Sequence, residues 1–215
     1  MHITHHTISL ARHTLHRIDF DPATLTPGDL LWLPHHAELA AAGRKRQAEH
    51  LAGRIAAVHA LQPFGSTAAP VIGAQRQPCW PPGLFGSITH CENHALAVVA
   101  RHPIGVDSES LFSSELCAEL TESIITSAER AVLEASGLPY PLALTLAFSA
   151  KESLYKAFSH RALPLPGFTS AAITHLDPRY LTLRFRATFS PQLVDQQATV
   201  YWQTDNAKVV TLAVS

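Results

Sequence analysis

The stretch Pro141–Ser159, "PLALTLAFSAKESLYKAFS", is apolar over most of a helical circumference and polar along a single line. On a 3.6-residue period that line is Thr145, Ser149, Glu152, Lys156 and Ser159. Leu144, Phe148, Tyr155 and Phe158 flank it on one side, Ala143, Ala147, Ala150 and Leu154 on the other. Pro141 suits a first helical turn, where its missing N–H has no partner to lose. Such a helix is largely buried, and its polar line must face a polar cleft because unpaired charge is costly in an apolar interior. A Glu152–Lys156 pair at i, i+4 contributes only about 0.2–0.5 kcal/mol and leaves Lys151, at the edge of the line, without an explanation.

Working outward, "GVDSESLF" (Gly105–Phe112) follows an apolar run and places Asp107 and Glu109 two residues apart. In a strand these project from one face while Ser108 turns to the other. Adjacent carboxylates repel unless a proton or cation sits between them, and carboxylate oxygens completed by phosphate oxygens and water suit Mg²⁺. Taken alone, D-x-E is also what a solvated strand edge looks like. Joined to Lys151, Glu152 and Lys156, it describes three carboxylates, a divalent cation and a phosphate-bearing ligand. That chemistry serves a hydrolase, with water as nucleophile, as well as a group transferase.

The rest of the chain reads as an α+β protein with mainly antiparallel sheets, divided near His102. "LHRIDFDP" (Leu15–Pro22) is a strand entering a turn, and His35–Leu61 is a long helix with Ala48, Leu51, Ile55 and Val58 on its apolar face. On that helix Arg46, His50 and Arg54 recur at i, i+4 and i+8, so one face is basic, with Glu49 nearby. Gln62–Gly86 is a Pro- and Gly-rich loop that carries Arg76, and Trp80 within it is expected as a packing anchor. Strands are expected at "GSITH" (Gly86–His90), "HALAVVAR" (His94–Arg101), "IGVDSE" (Ile104–Glu109), "AAITHL" (Ala171–Leu176), "YLTLRFRATF" (Tyr180–Phe189), "ATVYWQT" (Ala198–Thr204) and "KVVTLAVS" (Lys208–Ser215). A helical region runs from Ser114 to Ser136.

Of 215 residues, 47% are hydrophobic and 15% charged, and the net charge is −1, so no global field attracts nucleic acid or anionic lipid. Anion binding must come from a local cluster. The N-terminus has no signal-peptide core, no apolar run reaches the length of a membrane span, and three cysteines fit a reducing cytoplasm. Cys91 and His94 have the spacing of half a zinc site, with nothing to complete it. The fourteen histidines scatter, and His5, His6, His35 and His36 read as solvated.

The ordered set "GVDSE" and, some forty residues on, "FSAKESLYKA" resembles the two signature motifs of 4′-phosphopantetheinyl transferases. The likeness extends through "IDFDPATLTPGDLLWLP", "RKRQAEHLAGRIAAVHAL" and "RQPCWPPGLFGSITHCENHALAVV", and so covers the whole chain. It implies a monomer of two similar subdomains related by a pseudo-twofold, each a mainly antiparallel sheet packed on a long helix. Residues 1–102 would take the nucleotide side of coenzyme A, and 103–215 the metal, the Lys-Glu helix and the docking of a carrier protein. The implied activity is Mg²⁺-dependent transfer of 4′-phosphopantetheine from coenzyme A to a serine of apo acyl, aryl or peptidyl carrier domains, with 3′,5′-ADP released. The branch resembled serves enterobactin-type siderophore synthesis, which adds peripheral association of a cytoplasmic enzyme with a synthase assembly.

Carried over by position, Asp107, Glu109 and Glu152 are similar to the metal ligands, and Glu152 to the group that deprotonates the acceptor serine. Lys151 and Lys156 resemble the partners of the coenzyme A phosphates, with Lys156 also protonating the leaving phosphate. Thr89 and His90 match a serine–histidine pair on those phosphates, and Arg46, Arg54 and Arg76 match basic positions near the 3′-phosphate and adenine. Ser108 stands where a branched apolar residue is usual, so its hydroxyl needs a partner if buried. A non-catalytic carrier-binding relative is the other reading of this resemblance, and a chain of that kind has no physical need for all five of Asp107, Glu109, Lys151, Glu152 and Lys156. Docking is expected on Leu111, Phe112, Leu116 and Leu120, with Arg130 at the rim, because the segment that carries them is acidic overall.

Overall fold

The computed structural model describes residues 1–74, 76–205 and 207–214, and the chain divides into two compact units, Met1–His102 and Pro103–Ser215. In the first unit, strands β1 (Ile3–Leu10) and β2 (His13–Phe20) form a hairpin turned at Ala11 and Arg12, whose φ values of 48° and 64° are those of a two-residue primed turn. A short helix α1 (Pro27–Leu30), capped by Thr26 and Asp29, leads to α2 (Arg44–Leu61). Two short strands follow, β3 (Val71–Ile72) and β4 (Pro78–Cys79), then β5 (Phe85–Cys91) and β6 (His94–Ala100). The four-stranded sheet has the order β1-β2-β6-β5 with every pair antiparallel.

Helix α2 lies on this sheet through small residues: Ala48, Leu51, Ala52, Ala56, Ala57 and Ala60 meet Ile18, Phe20, Ala95, Ala97 and Val99. The approach is close, since a Cβ on Gly53 would stand 2.8 Å from the Ile88 side chain. Here the structure departs from the periodicity. Ile55 and Val58 are only half-buried, because the alanine row beside them is what permits the contact. The helix also begins at Arg44 rather than His35: Gly43, extended at ψ 154°, is its N-cap, and His36–Leu39 forms a separate 3₁₀ turn. Trp80 packs against the core as expected and covers Gly86, where a Cβ would come within 2.7 Å of its ring.

The second unit contains β7 (Ile104–Ser110), α3 (Ser114–Ile124), α4 (Ser127–Ala135), α5 (Tyr140–Phe158), β8 (Ala171–Leu176), β9 (Tyr180–Phe185), β10 (Gln197–Asp205) and β11 (Lys208–Val214). Its five strands take the order β7-β11-β10-β9-β8, again all antiparallel, and α5 packs on β7 and β11. The single helix expected over Ser114–Ser136 is two. The first ends at Ile124 with Ile125, extended, as its C-cap, and Thr126 caps the second, its hydroxyl and N–H both paired with the Glu129 carboxylate. The strand from Tyr180 stops at Phe185, and Phe189 instead turns into the core. Ser215, last residue of the expected final strand, lies outside the described residues. The fold is α+β with antiparallel sheets.

Candidate active site

Gly105 fixes the site. A Cβ at this position would lie 1.9 Å from the Ser153 carbonyl oxygen and 2.6 Å from the Ala157 nitrogen, so β7 crosses α5 with backbone against backbone. Residues of β7 at alternate positions share this face, and Asp107 and Glu109 therefore turn toward α5. Asp107 is buried, and its Oδ1 accepts from Lys156 Nζ at 2.6 Å while Oδ2 accepts from Ser149 Oγ at 2.8 Å. Lys156 Nζ also donates to the Val106 carbonyl at 3.2 Å. On the cross-strand partner of Asp107, the Thr211 hydroxyl stands 2.9 Å from Ser149 Oγ and donates to the Ser149 carbonyl, which fixes the serine that orients Asp107.

The polar line of α5 thus runs from a satisfied, buried end to an open one. Thr145 and Ser149 are buried and hydrogen-bonded, Lys156 keeps 26% of its side chain exposed, and Ser159 is exposed. Tyr155, expected on a buried row, is 38% exposed. Burial and the Asp107 carboxylate push Glu109 up to about 7, against the pull of Lys156. Burial likewise raises Glu152, Lys156 opposes it and Asp107 adds to it. Glu152 lines a cavity of about 250 Å³ with Tyr155, Leu165, Pro166 and Phe168.

Lys151 borders the same cavity, but its ammonium is already paired. Its ammonium donates to Glu129 Oε1 at 2.6 Å and to the Ile124 carbonyl at 2.8 Å, and both side chains of the pair are 2% exposed. Glu129 accepts from the Ile173 N–H as well as from Thr126, so α4, α5 and β8 meet at one buried ion pair. Although burial alone would raise it, the Lys151 charge and these hydrogen bonds hold the Glu129 carboxyl below the usual range. Lys151 lies one position off the polar line, and 100° of helix carries its ammonium to this ion pair, so a phosphate there would compete with Glu129 for it.

In the first unit Arg46 and Arg54 on α2 and His90 on β5 lie together, while Thr89, the next residue along the strand, is buried and turns to the opposite face of β5. Arg46 Nη1 lies 2.9 Å from His90 Nε2, and His90 Nδ1 lies 3.7 Å from the Glu49 carboxylate. Arg54 is buried, donates to the Pro70 carbonyl at 2.9 Å, and is lowered to about 10 by burial and by Arg46. His50, pushed down to about 3 by burial and then by Arg54, pairs with His35 at 2.7 Å. Positive charge exceeds what Glu49 compensates, which is the electrostatic form of an anion site. Arg76 lies on an exposed turn at φ 65°. His35, expected in solvent, is buried. Cys91 and His94 are simply the paired ends of the β5–β6 hairpin.

A model of the 4′-phosphopantetheinyl transferase N-terminal domain matches residues 35–100, and one of the 4′-phosphopantetheinyl transferase superfamily matches 103–212. The chain belongs to the 4′-phosphopantetheinyl transferase superfamily. It is 53% identical over 209 residues to enterobactin synthase component D of Salmonella typhi, covering 97% of this chain and 89% of that protein. Identity to enterobactin synthase component D of Escherichia coli (strain K12) is 57% over 157 residues, 73% of this chain and 76% of that one. To the 4′-phosphopantetheinyl transferase PptT of Mycobacterium tuberculosis it is 36% over 163 residues, 72% and 67%.

For a phosphopantetheinyl transferase, the geometry brings Asp107, Glu109, Glu152 and Lys156 onto one polar face and Arg46, Arg54 and His90 into one basic cluster, with Thr89 turned to the other face of β5. Residues that the sequence pattern did not single out are Thr211, Gly105 and Glu129. Only Glu129 had a local signal, the T-x-x-E of a capping box. The carboxylates are not drawn to within 4.8 Å of one another, the separation reached by three histidines elsewhere. Lys156 stands among them as the positive charge. The donor set is all hard oxygen, and the repulsion that raises Glu109 is of the kind a divalent cation relieves, so these residues fit Mg²⁺. Ser108 is fully buried on the other face of β7 and is not among the buried hydroxyls lacking a partner.

Proposed function

We propose that this transferase moves the 4′-phosphopantetheine arm of coenzyme A to a serine of apo aryl or peptidyl carrier domains in enterobactin-type siderophore synthesis, with Mg²⁺, releasing 3′,5′-ADP. The observation that carries the reading is the Asp107–Lys156 pair, its Asp107 buried against Ser149, with Glu109 and Glu152 on the same face and both raised. The relatives named as enterobactin synthase components support the pathway.

Asp107, Glu109 and Glu152 would hold Mg²⁺, which supplies neutralising charge for pyrophosphate oxygens. Glu152, at the open end of the line, takes the proton of the acceptor serine; its raised pKa makes it a stronger base than an ordinary carboxylate. The serine oxygen forms a bond to the β-phosphorus of coenzyme A as the bond to the bridging oxygen breaks. Lys156, already held by Asp107 and the Val106 carbonyl, donates its proton or hydrogen bond to the departing α-phosphate of 3′,5′-ADP. We assign Arg46, Arg54, Arg76, Thr89 and His90 to the nucleotide and phosphate end of coenzyme A.

Incubation of the protein with coenzyme A and Mg²⁺, with and without apo carrier domains, tests this reading by intact mass. Growth of the carrier by one phosphopantetheine, with coenzyme A stable when the carrier is omitted, supports it. Consumption of coenzyme A without a carrier would instead mark a phosphohydrolase.

A further inference from the structure

We propose that His5, His16 and His59 form a binding site for a borderline-soft divalent cation, Zn²⁺ foremost, that ties the β1–β2 hairpin to the last turn of α2. The three come from separate elements and meet on the helix-facing side of the sheet. His5 pairs in register with Ile18 and His16 with Thr7, so the two histidines are diagonal neighbours across the hairpin, and His59 reaches them from above. One ring nitrogen from each lies within 4.8 Å of the others, a convergence that no other set of three His, Cys, Asp or Glu residues reaches among the described residues. His5 Nε2 is already 3.0 Å from His16 Nδ1, and the His5 and His59 rings stack at 3.9 Å.

The donors select the ion. Three imidazoles without a carboxylate favour Zn²⁺, Ni²⁺ or Cu²⁺ over Mg²⁺. The nearest acid on the hairpin, Asp19, points from the opposite face, where it pairs with Arg17 and His6. Zn–N bonds of about 2.0–2.1 Å in a tetrahedral site set nitrogens about 3.3 Å apart, so the remaining convergence needs only rotation of half-exposed side chains. Exposure of His5 leaves water for the fourth position. Burial, then the neighbouring histidines, lower both His5 and His16, the latter to about 4, so these rings are neutral near pH 7 as ligation requires. The alternative is a hydrogen-bonded His5–His16 pair with His59 stacked on it and no affinity for metal.

The test is Zn²⁺ titration of the full chain against a chromophoric chelator, with Mg²⁺ in excess so that Asp107, Glu109 and Glu152 are saturated. The expected result is uptake of one Zn²⁺ per chain and a rise in Tm. Affinity should fall by more than about 100-fold in His5→Ala/His59→Ala and stay unchanged in His6→Ala and His13→Ala. The milder His59→Gln variant provides the same readout with little disturbance of α2, and Co²⁺ should give visible bands in wild type that His59→Gln lacks. Equal Zn²⁺ uptake by wild type and His59→Gln, or none by either, would overturn the proposal.

Discussion

The buried surroundings of Glu109 and the neighbouring Asp107 resist its charge, and this gives stability a defined pH signature. Its carboxyl sits near 7 in the native state against 4.5 unfolded, so between those values the native state holds the extra proton. Stability must then fall as pH rises through that window. His50 works in the opposite sense: lowered to about 3, it is kept neutral in the fold, and its contribution is lost as pH falls below 6.5. Glu109→Gln removes only the first effect. In EDTA, the variant's stability relative to wild type should therefore increase from about pH 5 to about pH 8, measured by urea unfolding. An unchanged difference would mean that Glu109 is ionised without strain. Lys151 makes a second test at this scale. With its ammonium locked to Glu129, Glu129→Gln should destabilise the protein by about 3–5 kcal/mol by leaving a buried charge unpaired, while the KM for coenzyme A of the folded fraction stays unchanged.

At the scale of elements, the decisive contact is the crossing of β7 over α5 at Gly105. Gly105→Ala must push strand and helix apart by ångströms, because the atoms in the way are backbone. A loss of about 3 kcal/mol or more in unfolding free energy is expected, with transfer lost along with it. Thr126→Ala, which removes a cap, should cost only about 1 kcal/mol and leave turnover intact. This is also where sequence and structure part company. The polar line of α5 was legible because a buried helix has few ways to place Glu152 and Lys156, and D-x-E was legible because a strand fixes its face. The start of α2 was not, since "HHAELAAAG" has helix-forming composition throughout and only Gly43 interrupts it. Strand β1 was hidden because its residues are mostly exposed and lack apolar alternation. Thr211 and Gly105 gave no sign, because their roles depend on cross-strand register and on a backbone contact fifty residues away.

Over the whole molecule, a net charge of −1 leaves carrier recognition to local surface. The four apolar residues expected to dock a partner divide in two. Leu111 and Leu116 are 39% and 36% exposed, whereas Leu120 and Phe112 pack on the core, Phe112 at 5.6 Å from Phe148. Arg130 is tied to Glu122 at 3.0 Å. Leu116→Ala should accordingly raise the KM for carrier protein with thermal stability unchanged, and Phe112→Ala should lower Tm; the reverse pattern would move the docking surface elsewhere. In the proposed reaction Asp107, held by Lys156 and Ser149, anchors the machinery of phosphopantetheine transfer. The most direct measurement is the rate at which Asp107→Asn modifies an apo carrier domain, followed by intact mass with coenzyme A and Mg²⁺ saturating. We predict a rate about 10²–10⁴-fold below wild type from a protein that remains folded. Transfer by folded Asp107→Asn at the wild-type rate would contradict the account.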